Sequence, residues 1–175
     1  MGILDLKKKT ACKFIKNKQN QVQGAKKNEV RSIAKVGVLA ELSLFQTYDF
    51  TKSLSKGLGI EQDEIVVFLF DRNRQGVTLE NHKICDEGCF GYFGKIKSLS
   101  LEKFVNKKFD LMINYCEPDL VYARIIMLRS DARLKAGFEH ENNFFNDISV
   151  KTAGNKIDTF NAELIKYLQL LKLIN

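Results

Sequence analysis

Apolar residues in this chain follow two rhythms that trade places along its length. Residues 33–39 (IAKVGVL) form a compact run rich in β-branched side chains, and residues 65–70 (IVVFLF) contain no polar residue at all. Uninterrupted apolar runs of this length fit strands covered on both faces. Between them Leu44, Tyr48, Leu54 and Leu58 recur at helical spacing, and Gly57 and Gly59 supply the stop. A polar loop over 71–75 leads to an aromatic, glycine-interrupted stretch at 90–96 (FGYFGKI) and to a short helix over 99–104 entered from Ser98. Residues 109–115 (FDLMINY) predict a strand, 120–128 (LVYARIIML) a helix, and 132–138 (ARLKAGF) another strand. A last helix spans 158–174, with Phe160, Leu164, Ile165, Leu168, Leu171 and Ile174 on one stripe and Asp158 or Thr159 as its cap. Strands alternating with helices predict an α/β fold, a three-layer Rossmann-like sandwich around a mostly parallel sheet.

The start of the chain has a different pattern. Residues 3–18 read as a basic amphipathic helix in which Ile3, Leu4, Ala11, Phe14 and Ile15 tend to one side. Residues 17–28 (NKQNQVQGAKKN) are polar and without period, as a linker is. The expected organisation is therefore a basic arm and linker over 1–28, then a single Rossmann-like domain over 29–175. An apolar fraction of 45% with thirteen Phe supports one packed interior at that length.

Charge sharpens the division. Lys7, Lys8, Lys9, Lys13, Lys16, Lys18, Lys26 and Lys27 face only Asp5 and Glu29 in the first thirty residues, which hold +6 of the chain's net +7. A block of lysines meets polyanions through coulombic attraction and counterion release. Cys12, Cys85, Cys89 and Cys116 are irregularly spaced and the first residues do not resemble a signal peptide, so free thiols in a reducing cytoplasm are expected. No apolar stretch approaches the roughly 20 residues a membrane helix needs.

Candidate chemistry is sparse. In a parallel sheet, ligands sit beyond the carboxyl ends of the strands. There the pattern places Glu41 and Ser43, Asp71 and Arg72, Cys116 and Glu117, and Glu139 and His140. A group of Glu41, Asp71, Glu117 and His140 has the residue types for acid/base work or ligand binding. Polar side chains are nonetheless expected wherever strands emerge into solvent. Neither GxGxxG nor GxxxxGK[ST] follows the first strand, so no nucleotide cofactor is expected. His82, Cys85 and Cys89 raise the question of zinc, but paired CxxC spacing is absent and only the distant Cys116 or His140 offers a fourth ligand; no metal is expected. Cys116 as a nucleophile needs His140 as its base. Phe90, Tyr92 and Phe93 have the residue types on which RNA bases stack, but not the order of an RNA-recognition motif, and packing around a tight turn is the expectation.

The succession FDLMINY, helix, ARLKAGF resembles the N-terminal Rossmann-like half of lipopolysaccharide heptosyltransferases, over about a third of the chain. In that pattern Ala132, Arg133, Gly137 and Phe138 support the strand and its turn, so the resemblance brings no catalytic residue. Those enzymes close a nucleotide-sugar site between two such halves, and this chain has room for one. The basic start, FGYFGKIK and the C-terminal helix are similar to a family of uncharacterised short proteins of the Bacteroidota.

The leading expectation is a non-catalytic protein anchored to RNA or a ribonucleoprotein particle by its basic arm. Lys7, Lys8, Lys9, Lys13, Lys16, Lys18, Lys26 and Lys27 would meet phosphates while Phe14 and Ile15 pack against the body or a protein neighbour, and Arg72 and Arg74 would extend that surface. One alternative lays the same helix on an anionic membrane through Ile3, Leu4, Leu6, Phe14 and Ile15. Another is a sugar-nucleotide-binding remnant using the carboxyl edge of the sheet, although a small-molecule ligand is not the expected partner.

Overall fold

A computed structural model describes residues 2–22, 30–80, 82–140, 144–152 and 156–175. Six strands build one sheet: β1 (Val36–Glu41), β2 (Ile65–Phe70), β3 (Lys83–Cys85), β4 (Leu111–Asn114), β5 (Leu134–Phe138) and β6 (Ile148–Val150). They lie in the order β3-β2-β1-β4-β5-β6 and every pairing is parallel. This is the doubly wound order of the Rossmann fold, with its switch point between β1 and β4. Helices fill both faces: α1 (Ile3–Val22), α4 (Leu99–Val105) and α5 (Val121–Arg129) on one, α2 (Leu42–Phe45), α3 (Phe50–Leu58) and α6 (Ile157–Leu170) on the other. The expected three-layer α/β sandwich is the fold.

The two-residue alternation of the central strands assigns each side chain to a layer. Val36, Val38 and Ala40 of β1, with Ile65, Val67 and Leu69 of β2, enter the α3/α6 core. Leu39, Phe68 and Phe70 enter the α4/α5 core. Gly37 belongs to the second face by position, because a Cβ there would stand 2.8 Å from the Phe109 ring. Only glycine lets that ring close over β1.

Local chemistry sets several boundaries. The helix expected across residues 44–58 is two helices, because the Asp49 carboxylate accepts from Lys52 N–H at 3.0 Å and starts α3 afresh. Gly59, at φ 68°, ends α3 in the left-handed conformation. Ser98 caps α4 by accepting from Leu101 N–H, as its sequence implied. Neither Asp158 nor Thr159 caps α6, which begins after Lys156 without a side-chain cap. Asp158 instead accepts from the Tyr48 hydroxyl at 2.7 Å, joining a chain in which the buried Tyr115 hydroxyl donates to Asn161 at 2.6 Å.

The first helix departs most from expectation. It is no appendage: Ala11 is fully buried and Ile15 is 3% exposed, both in the core with α4 and α5. A narrow stripe suffices because a helix lying on another helix needs only one row of small and branched residues to touch it. Lys26 and Lys27, with the second half of the expected linker (23–28), lie outside the described residues. No described helix is long and apolar enough to cross a membrane.

Candidate functional site

At the switch point the fold offers its usual ligand crevice, and this chain fills it with its own side chains. β1 runs directly into α2, leaving no loop to cradle a phosphate. Glu41, 8% exposed at its side chain, takes that place. Arg72 Nε donates to Glu41 Oε2 at 2.8 Å, Arg72 Nη2 to Glu41 Oε1 at 3.1 Å, and Glu117 N–H to Glu41 Oε1 at 2.9 Å. The other side of the guanidinium donates to Asp119 at 2.7 and 3.0 Å. The hydrogen bonds to Asp119, with those to Glu41, push the Arg72 pKa above its usual value, and Arg72 in turn pulls that of Asp119 down. Beside Glu41 and Arg72 remains a cavity of about 10 Å³, the lower limit for a single water.

The remaining strand-end residues do not assemble. Buried Asp71 folds its own loop, accepting from Gly76 N–H at 3.1 Å. Glu117 contributes its backbone to Glu41, and the His140 ring lies 6.3 Å from that of Phe145. Cys116 is buried, and burial raises its thiol pKa well above the ordinary value, the reverse of what a nucleophile needs. The His82 ring lies tilted against that of Phe45, 4.5 Å between centroids, toward the α3/α6 core, while Cys85 is buried in the other core. Among the described residues no three His, Cys, Asp or Glu side chains converge as a metal site would need. Cys85 and Cys89 do meet: the Cys85 thiol hydrogen-bonds to Cys89 and lowers its pKa to about 6, whereas burial drives that of Cys85 upward.

The flank of α1 is the contrasting surface. Lys8, Lys9, Lys13, Lys16 and Lys18 are exposed and Lys7 is half-buried. On a helix of 3.6 residues per turn, Lys9, Lys13 and Lys16 form one row opposite Ala11 and Ile15. Against the neighbouring row packs the turn of residues 90–96, closed by a Phe90–Ile96 bridge. Buried Phe90 anchors the turn by stacking on Tyr122 at 4.8 Å, so the expected core role holds for this ring. It fails for the other two. Tyr92 is 45% exposed and Phe93 is 53% exposed. Phe93 has φ 55°, a conformation side-chain-bearing residues avoid, and its N–H donates to Thr10 Oγ1 at 3.1 Å. Gly94 follows at φ 64° with Ile125 so close that a Cβ would stand 2.9 Å from its Cδ1. Lys7 and Lys13 lie one turn either side of Thr10 on the same helix.

Further along α1, Phe14 lies under the Arg129 guanidinium at 4.7 Å, and Arg129 Nε donates to Gly94 O at 3.0 Å. Desolvation lowers the Arg129 pKa. Arg124, on the same helix, keeps its Nε buried without an acceptor. Arg72 and Arg74 do not extend this basic surface, since Arg74 pairs with Asp86 and Glu87 at 3.4 and 3.2 Å and Arg72 is bound by Glu41 and Asp119. Their partners are carboxylates, which a phosphate would have to displace.

The chain belongs to DUF6913, a family of unknown function, whose model matches residues 7–171. That span begins inside α1 and ends one residue past α6. No curated protein and no solved structure matches the chain.

Proposed function

We propose that the protein is a non-catalytic, cytoplasmic RNA-binding protein, a component or visitor of ribonucleoprotein particles, whose interface is the solvent side of α1 and the turn beside it. The observation that carries this reading is the pair of exposed rings, Tyr92 and Phe93, held by Thr10 against a lysine-bearing helix. Aromatic faces among cations suit single-stranded nucleic acid, where bases stack and phosphates are neutralised. An anionic membrane is less well supported, because a lipid-binding helix presents its apolar face outward and here Ala11 and Ile15 are spent in the core. A sugar-nucleotide site is less well supported too, since Glu41 and Arg72 occupy the crevice it would use.

Fluorescence anisotropy with a labelled single-stranded RNA tests the proposal. Removing three lysines with K9Q/K13Q/K16Q is expected to flatten the dependence of log Kd on log salt by about 2, at roughly 0.7 per phosphate lost. Y92A and F93A each weaken binding by about 1–3 kcal/mol. Absence of saturable binding, or affinity indifferent to both sets of changes, rejects the reading. Cosedimentation with anionic vesicles, lost in K9Q/K13Q/K16Q while RNA fails to bind, would favour the membrane instead.

A further inference from the structure

Between α1, α4 and α5 lies a cavity of about 400 Å³. Its volume falls within the lower range of small-ligand sites. Lys18, Lys95 and Arg129 bring three cations to its wall, and among the described residues Glu102 brings a carboxylate. Phe14 and Leu128 give it an apolar side. Arg129 sets this place apart from the surroundings of three other arginines. Arg72, Arg74 and Arg133 each hold a carboxylate. Arg129 is an exposed residue whose guanidinium is held in place by Gly94 O through Nε and by the Phe14 ring, yet it makes no carboxylate pair among the described residues. A fixed guanidinium whose remaining donors meet no anion is preorganised for one, and its planar fork matches a phosphate better than a lysine does.

We infer that this cavity is a phosphate-binding site that takes a phosphate monoester carried on a flat, partly apolar group, as a nucleoside monophosphate is. Arg129, Lys18 and Lys95 hold the phosphate, and the Phe14 and Leu128 side receives the base or sugar. The same chemistry comes from a free nucleotide or from the phosphorylated end of an RNA strand. The site shares Lys95 and Ile96 with the aromatic turn but includes none of Lys9, Lys13 and Lys16, nor the Tyr92 and Phe93 rings.

Isothermal titration of the full chain with adenosine monophosphate, adenosine and inorganic phosphate tests the inference. Adenosine monophosphate is expected to bind saturably and to raise Tm, inorganic phosphate to bind more weakly, and adenosine not to bind. R129K, which keeps the charge and loses the fork, should weaken the nucleotide at least tenfold. K95Q, on a surface turn, should weaken it several-fold with Tm of the free protein unchanged. A 5′-phosphorylated oligomer that binds more tightly than its 5′-hydroxyl counterpart and than the mononucleotide assigns the site to an RNA end. A mononucleotide binding as well as the phosphorylated oligomer assigns it to a free nucleotide. Equal binding of adenosine and its monophosphate, no binding at millimolar nucleotide, or wild-type affinity in both variants overturns the site. Because K9Q/K13Q/K16Q leaves this cavity intact, nucleotide binding that survives in it separates this result from failure of the RNA interface.

Discussion

The carboxyl edge of the sheet and the flank of α1 are both rich in charge, and they use it in opposite ways. At the edge Arg72 is shared by Glu41 and Asp119, and the space left beside them is at the lower limit for a single water. Along α1 and its neighbours, lysines and Arg129 line the surface with few carboxylates among them, beside open aromatic rings. A fold's usual site and a chain's actual site therefore need not coincide. Charge that is satisfied internally stabilises the fold, and charge that faces solvent is available to a partner.

The comparison depends first on α1 being part of the fold. Ile15→Ala would open a hole where the helix meets the core, costing about 3 kcal/mol and lowering Tm by about 6–12 °C for a chain of this size. Thermal unfolding followed by circular dichroism checks this. A Tm unchanged by the substitution would return α1 to the status of a separate arm.

Next in size is the closure of the edge. Glu41→Ala removes the buried acceptor of Arg72 and of Glu117 N–H and should cost about 2 kcal/mol, below the usual range for a broken buried pair because Arg72 keeps Asp119 and one third of its exposure. Asp119→Asn removes the exposed partner, 73% accessible, and should cost under about 1 kcal/mol. Denaturant titration of the two variants gives the ratio. Equal costs would mean that the edge is not organised around Glu41.

How much of this was written locally in the chain can be judged residue by residue. Runs such as IVVFLF and FDLMINY declared buried parallel strands, and FGYFGKI declared a turn, because an apolar run or a glycine pair is visible within one segment. β3 and β6 have three residues each, too few to show a period, and they exist because β2 and β5 offer them an edge. The stripe of Ala11 and Ile15 was legible, but its partner α5 lies more than a hundred residues away. Arg72 looked like a free cation because the acids that bind it lie 31 and 47 positions distant. Tyr92 and Phe93 read as core by composition. Their exposure follows from the positive φ at Phe93 and Gly94, a backbone feature fixed by Thr10 and Ile125. The one local hint was glycine on both sides of the pair.

The thiols carry the smallest predicted effect and divide along the same line. Cys116 at the closed edge has its pKa raised by burial, while the Cys85 hydrogen bond lowers that of Cys89 to about 6. The thiolate is the nucleophile, so alkylation of Cys89 should rise from pH 5, pass half-maximum near 6 and level off above pH 7. An ordinary thiol reaches half-maximum only near pH 8.5. Mass-spectrometric mapping after brief iodoacetamide treatment should find Cys89 modified at neutral pH and Cys116 intact until the protein unfolds. Cys116 reacting as fast as Cys89 would show an open edge.

The most direct test of the whole account is a backbone amide NMR titration of the full chain with a short single-stranded RNA. The account predicts shifts clustered at residues 7–18 and 91–95, with the amides of Glu41, Arg72, Glu117 and Asp119 unmoved. Shifts concentrated at those four residues, or none anywhere at millimolar RNA, would contradict it.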